Sequence, residues 1–121
     1  MNRLELPGVR FRPAVFEPTF HKHARTTCGG CQIHVLDREA FRPVETGVAL
    51  LAAARASAPD QFAWRQPPYE YEPVKPPIDI LAGSAALRLT LEQGHAAREI
   101  AREWEGPVAR FLETRVEYLL Y

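Results

Sequence analysis

Apolar residues recur along this chain with two different periods, and the switch between them divides it. Val9-Arg10-Phe11-Arg12 alternates apolar with basic residues, as a strand with one buried face does, and Val15-Phe16 continues the run beyond Pro13. Proline cannot donate to a ladder, so the pattern predicts an edge strand or a break at Pro13. The stretch from Gly30 to Asp37, GCQIHVLD, alternates more cleanly. Cys31, Ile33 and Val35 fall on one face, and Gln32, His34 and Leu36 on the other. Between the two runs, Pro18 to Gly30 keeps neither period and reads as a loop. Residues 1–8 are a lead-in that closes on a Pro7-Gly8 turn.

After a turn at Asp37-Arg38-Glu39 the period becomes helical. Phe41-Arg42-Pro43 leads into a helix with proline in its first turn, and Val44, Val48, Leu51 and Ala52 form one stripe. The helix is expected to end before Ala58-Pro59, because the residue preceding proline disfavours helical backbone. Six of the 11 prolines lie between Pro59 and Pro77, which marks an ordered, extended connector with a short strand at Phe62-Ala63-Trp64. A proline-rich ligand motif is interrupted there by Tyr-Glu-Tyr-Glu. Ile78 to Leu81 opens a helical turn. Ser84 is placed to cap a short helix carrying Leu87 and Leu91, and Gly94 to close it. A last helix runs through Ile100, Trp104, Val108, Phe111 and Leu112, with Gly106-Pro107 expected to kink or split it. The terminal VEYLLY, 116–121, is too apolar for a free tail and is expected to dock on the core. The fold class this predicts is α+β, with a small N-terminal β-sheet and helices packed on it, mostly from the C-terminal half.

Composition narrows the function classes. The 121 residues suit one domain, 1–121, and 46% hydrophobic with 25% charged residues is ordinary for a globular chain. Basic and acidic residues balance at 15 each, so no basic field recommends nucleic acid. Arg10, Arg12, Lys22 and Arg25, beside Phe11 and Phe20, make only a local patch. The longest apolar run, Val48 to Ala54, cannot span a bilayer, and MNRLELPG lacks the apolar centre of a signal peptide. The expectation is no nucleic acid and no membrane as partner.

The densest chemistry lies in FEPTFHKHARTTCGGCQIHVLD, residues 16–37, with three of the four histidines and both cysteines. His21, His23, Cys28 and Cys31 are zinc-type ligands within eleven residues, so a small metal-binding or protein-interaction module over 21–31 is one reading. The plainer one is two exposed loop histidines and two small, partly buried cysteines. CGGC also has the spacing of a redox pair, but that chemistry needs the first cysteine at a helix N-terminus, and here a strand follows. Asp37, Glu39, Glu70, Glu72 and Asp79 are available carboxylates, and nothing in their spacing aims a pair at one point. His34 either packs or faces a cleft; His95 lies at a helix start.

Read together, LPGVRFRP, EPTFHKHA, CGGCQIHVLDR, FRPVETGVALL, IDILAGSAALR, a tryptophan and the final YLLY resemble the C-terminal domain of the NamZ-type exo-β-N-acetylmuramidases, once labelled a domain of unknown function. The resemblance covers about Leu6 to the end. It implies part of a peptidoglycan-active glycoside hydrolase that removes terminal N-acetylmuramic acid from cell-wall fragments. It further implies a Rossmann-like catalytic domain as partner, carrying the catalytic glutamate, with this chain walling the cleft and inactive alone. No cofactor is implied, and family members often lie outside the cytoplasm. Matching loop and strand positions are Pro18, Thr19, Phe20, Lys22, Cys28, Gly30, Gln32 and His34. Of these, Thr19, Lys22, Gln32 and His34 are the expected substrate-binding residues, acting by orientation. Arg25 stands where a glycine is expected and Cys31 where an aliphatic residue is expected. A face that covers a partner domain would be exposed here, which favours a homodimer.

Overall fold

The computed structural model describes residues 1–120; Tyr121 lies outside them, and with it the last position of the expected VEYLLY docking. The chain divides into two compact units, residues 1–46 and the remainder from Gly47 onward.

The first unit is built on a β-hairpin. After a 3-10 turn at Asn2–Leu4, β1 (Val9–Phe16) pairs antiparallel with β2 (Cys28–Val35), in a register running from Val9↔Val35 to Phe16↔Cys28. β1 does not break at Pro13. The Phe11 N–H donates to Asn2 Oδ1 and the Asn2 Nδ2 donates to the Phe11 carbonyl, both at 2.9 Å. The backbone groups of Phe11 therefore point away from β2, and so does the nitrogen of Pro13 two residues on. The missing donor costs no ladder bond. β2 begins at Cys28 rather than Gly30. At the hairpin's other end the Gly8 carbonyl accepts from the N–H groups of Leu36 (2.8 Å) and Asp37 (3.2 Å), which fixes the Pro7-Gly8 turn. Leu6, Val9 and Phe11 are buried, but Ile33 and Val35 are 45% and 44% exposed and Cys31 is exposed. The apolar face that the two strands share is thus covered along β1 at Val9 and Phe11, while its β2 half, which the alternation suggested would be core, stays partly open.

The second unit is helical. α1 (Pro43–Ser57) starts in the first unit at Pro43, where a missing N–H is harmless, continues into the second, and stops before Pro59 as expected. Its buried positions are Thr46, Val48 and Ala49, whereas Val44 is exposed. No strand forms at 62–64; the apolar character there is spent on an edge-to-face pair of Phe62 and Trp64, 4.9 Å apart. α2 (Pro77–Ala82), α3 (Ala86–Glu92), α4 (Ala97–Glu103) and α5 (Glu105–Arg115) follow, each packed against the next. The split between α4 and α5 puts Pro107 in the first turn of α5, where its N–H would have no helical partner. Val48, Ala49, Leu91, Ala97 and Ile100, with Pro77 at the start of α2, are the buried apolar residues among those described in this unit. The class is α+β. No helix among the described residues is long and apolar enough to cross a membrane.

α2 and α3 are joined by a bidentate ion pair: Arg88 Nε to Asp79 Oδ1 at 2.8 Å and Nη2 to Oδ2 at 2.9 Å, with the Asp79 side chain only 10% exposed. The hydrogen bonds from Arg88 hold the Asp79 carboxyl below its usual range and raise the Arg88 guanidinium. A carboxylate whose folded pKa is depressed stabilises the fold above its unfolded pKa and loses that contribution as pH falls through the folded value. Asp79→Asn is therefore expected to lower the melting temperature by several degrees at neutral pH. The gap to wild type should close on acidification below about pH 4. A gap unchanged down to pH 2 in a thermal-melt series would refute the ionic origin.

Candidate functional site

The hairpin places its residues on two faces by parity. Arg10, Arg12, Ala14 and Phe16 of β1 share a face with their cross-strand partners His34, Gln32, Gly30 and Cys28 of β2. Two of the expected substrate residues, Gln32 and His34, therefore stand side by side, and the register adds two arginines to them. Arg12 Nη2 donates to Gln32 Oε1 at 2.6 Å. Arg10 lies opposite His34, whose side chain is half-buried, with Nε2 shielded from solvent and without a hydrogen-bond partner among the described residues. Phe16 is 53% exposed, with its ring against Gly30: a Cβ there would meet Phe16 Cε1 at 3.3 Å. The glycine leaves the room that the ring occupies.

Thr19 and Lys22 do not join this group. They sit exposed in the loop between Phe16 and Cys28, whereas His34 pairs near the other end of the ladder, about 20 Å along the strand from Cys28. The loop is held by its own backbone: Arg25 N–H to the Pro18 carbonyl at 2.8 Å and Thr26 N–H to the His23 carbonyl at 3.0 Å. His21, His23 and Arg25 all take left-handed backbone, with φ of 60°, 59° and 60°. Arg25 thus adopts the conformation for which a glycine is suited, at a cost of about 1–2 kcal/mol.

The cysteines are set apart by the strand. Positions three apart in β2 point to opposite faces, with Cα atoms about 10 Å from each other, beyond the roughly 7 Å that a disulfide spans. That geometry serves neither a redox pair nor two ligands of one tetrahedral ion. His21, His23, Cys28 and Cys31 do not converge, and among the described residues no three His, Cys, Asp or Glu side chains do.

A second feature was not legible in the sequence. Glu72, Lys75, Asp79, Ile80, Gly83, Ser84 and Ala85 line a half-open groove of about 550 Å³ in the helical unit. It brings two carboxylates to one wall, which their spacing does not suggest. Glycoside hydrolysis needs one such group protonated, with its pKa raised. Here both are pushed the other way. Glu72 Oε1 accepts the N–H groups of Lys75 (3.0 Å) and Val74 (2.8 Å), which lower its pKa, and Asp79 is lowered by Arg88. The groove thus holds two carboxylates that already accept hydrogen bonds and whose pKa values are lowered.

Comparison with known proteins follows the same lines. The family model described as exo-β-N-acetylmuramidase NamZ, C-terminal, matches residues 1–121. The peptidoglycan β-N-acetylmuramidase NamZ of Bacillus subtilis (strain 168) is 36% identical over 121 residues, all of this chain and 27% of that protein. A crystal structure of a DUF1343 family protein from Bacteroides fragilis shares the fold, with a TM-score of 0.80 at 24% identity over 99% of this chain and 30% of that one. The chain therefore spans less than a third of the length of the relatives it matches.

Proposed function

The chain belongs to the family of exo-β-N-acetylmuramidase NamZ C-terminal domains, and from that membership we propose that it is a single non-catalytic domain that completes a peptidoglycan-active glycosidase. In this reading a Rossmann-like catalytic domain, on the same or a separate chain, hydrolyses the bond that releases terminal N-acetylmuramic acid. This chain walls the cleft and orients the sugar, with Gln32 and His34 side by side on the hairpin face.

The observation that carries the proposal is the apolar surface left uncovered on the last helical turns. Along α5 and the turn after it, Val108, Phe111, Leu112 and Val116 recur at helical spacing and are 50%, 64%, 47% and 65% exposed. Leu119 and Leu120 are 48% and 95% exposed, so the described part of the terminal segment, 116–120, does not dock on the chain's own core. A contiguous apolar stripe of this kind marks an interaction surface. The carboxylates of the groove agree, since both have their pKa lowered, the opposite of what a general acid needs.

The test is an assay of N-acetylmuramic acid release from peptidoglycan fragments, with the chain alone, the N-terminal remainder of the Bacillus relative alone, and both mixed. Release is expected only with that remainder present and is expected to rise when this chain is added. Release by the chain alone would overturn the proposal. Sedimentation of the chain by itself is expected to show a concentration-dependent dimer, which the added remainder replaces with a one-to-one complex.

A further inference from the structure

We infer that the polar face of the hairpin recognises the lactyl carboxylate of N-acetylmuramic acid, with Arg12 as the principal contact and the Phe16 ring as a platform for the sugar. This rests on the function proposed above and names the substrate group that this face reads.

The face carries charge that no ion pair among the described residues neutralises. Its eight residues, Arg10, Arg12, Ala14, Phe16, Cys28, Gly30, Gln32 and His34, include two guanidiniums and no carboxylate. The ion pairs of the described residues involve Arg88 and His95, not Arg10 or Arg12. In a chain of zero net charge, two adjacent unpaired arginines on one rigid face are a local anion site rather than part of a general basic field. Arg12 is also held in place. Its bond to Gln32 uses one of about five guanidinium N–H groups and leaves the others free to meet a carboxylate in the planar, two-point geometry that arginine favours. Arg10 follows about 7 Å along the strand, its Nη1 only loosely engaged by the Val9 carbonyl at 3.3 Å. His34, opposite Arg10, has a ring nitrogen still lacking a partner.

On the same face Phe16 presents an exposed ring that leans back over Gly30, the partner of Ala14, which brings the ring edge to about 7 Å along the strand from the Arg12–Gln32 pair. An aromatic ring and a cationic fork in one line suit a ligand with an apolar sugar face and a single carboxylate. N-acetylmuramic acid is N-acetylglucosamine bearing a lactyl ether, so its carboxylate is what distinguishes the two sugars of peptidoglycan. Recognition of that one group would give selectivity for muramic acid at the terminal position.

Amide and side-chain NMR of this chain, titrated with four probes, tests the assignment: N-acetylmuramic acid, its methyl ester, N-acetylglucosamine and inorganic phosphate. N-acetylmuramic acid is expected to shift the Arg12, Gln32, His34 and Phe16 resonances. The ester and N-acetylglucosamine should bind at least about tenfold more weakly, as loss of a charge-assisted contact predicts. Arg12→Gln should remove that preference while leaving the spectrum elsewhere unchanged, and Arg12→Lys should restore part of it. Equal binding of N-acetylglucosamine, phosphate matching N-acetylmuramic acid, or no shift at the hairpin would each overturn the inference. Muramidase release in the mixing assay alongside any of these results would leave the accessory role standing and remove only this face from it.

Discussion

Gly8→Ala is expected to destabilise the chain by roughly 2–5 kcal/mol, more than a change at either of its other two left-handed glycines, Gly83 and Gly94. Gly8 sits at φ +67°, and a Cβ there would overlap the Asp37 carbonyl oxygen and come within 2.6 Å of the Phe41 nitrogen. Left-handed backbone costs an L-residue about 1–2 kcal/mol, and forcing packed atoms apart adds about 1–3 kcal/mol. The neighbours cannot yield cheaply, because the Gly8 carbonyl also accepts from Leu36 and Asp37 and the Asp37 carbonyl accepts from Phe41. Gly94 supplies the control: its φ is +88°, but nothing lies within 4 Å of its missing Cβ. Gly94→Ala should therefore lose only the backbone term. Thermal melts of the two variants should differ clearly, and equal losses would show that the turn at Gly8 is not closed as described.

That turn was visible as Pro7-Gly8, but the contact that makes it matter was not. Local pattern reports which residues bend and which alternate; it does not report what they approach. Alternation over Gly30 to Val35 correctly put Gln32 and His34 on one face. Adding Arg10 and Arg12 to that face required the β1–β2 register, a relation between residues about twenty positions apart. β2 starts at Cys28 because the pairing with Val15 and Phe16 extends it through Gly29 and Gly30, two residues with no side chain to carry a period. Of the two outcomes expected at Pro13, an edge strand or a break, the edge strand is found, and which one holds depends on the outward direction of its nitrogen, a matter of register. Pro43, Pro59 and Pro107 shape the helices as the sequence predicts, since each acts on its immediate neighbours.

The terminal segment separates two meanings of an apolar stripe. Hydrophobic spacing predicted that Ile100, Val108, Phe111 and Leu112 seek cover, yet it does not specify whether the cover lies in the same chain. Ile100 is 1% exposed, the one large side chain of the described residues that is fully buried, while Phe111 is 64% exposed. Ile100→Ala should leave a cavity and cost roughly 2–5 kcal/mol, with a correspondingly lower denaturant midpoint. Phe111→Ala should change the stability of the isolated chain by no more than about 0.5 kcal/mol, as exposed substitutions do. Its expected effect appears elsewhere, as weaker association with the catalytic remainder in the sedimentation experiment. The two variants thus divide the stripe into a part that holds this fold and a part that meets a partner. Were Phe111→Ala to destabilise the isolated chain as much as Ile100→Ala, the α5 face would belong to the chain's own core, and the uncovered surface that supports a partner domain would be gone.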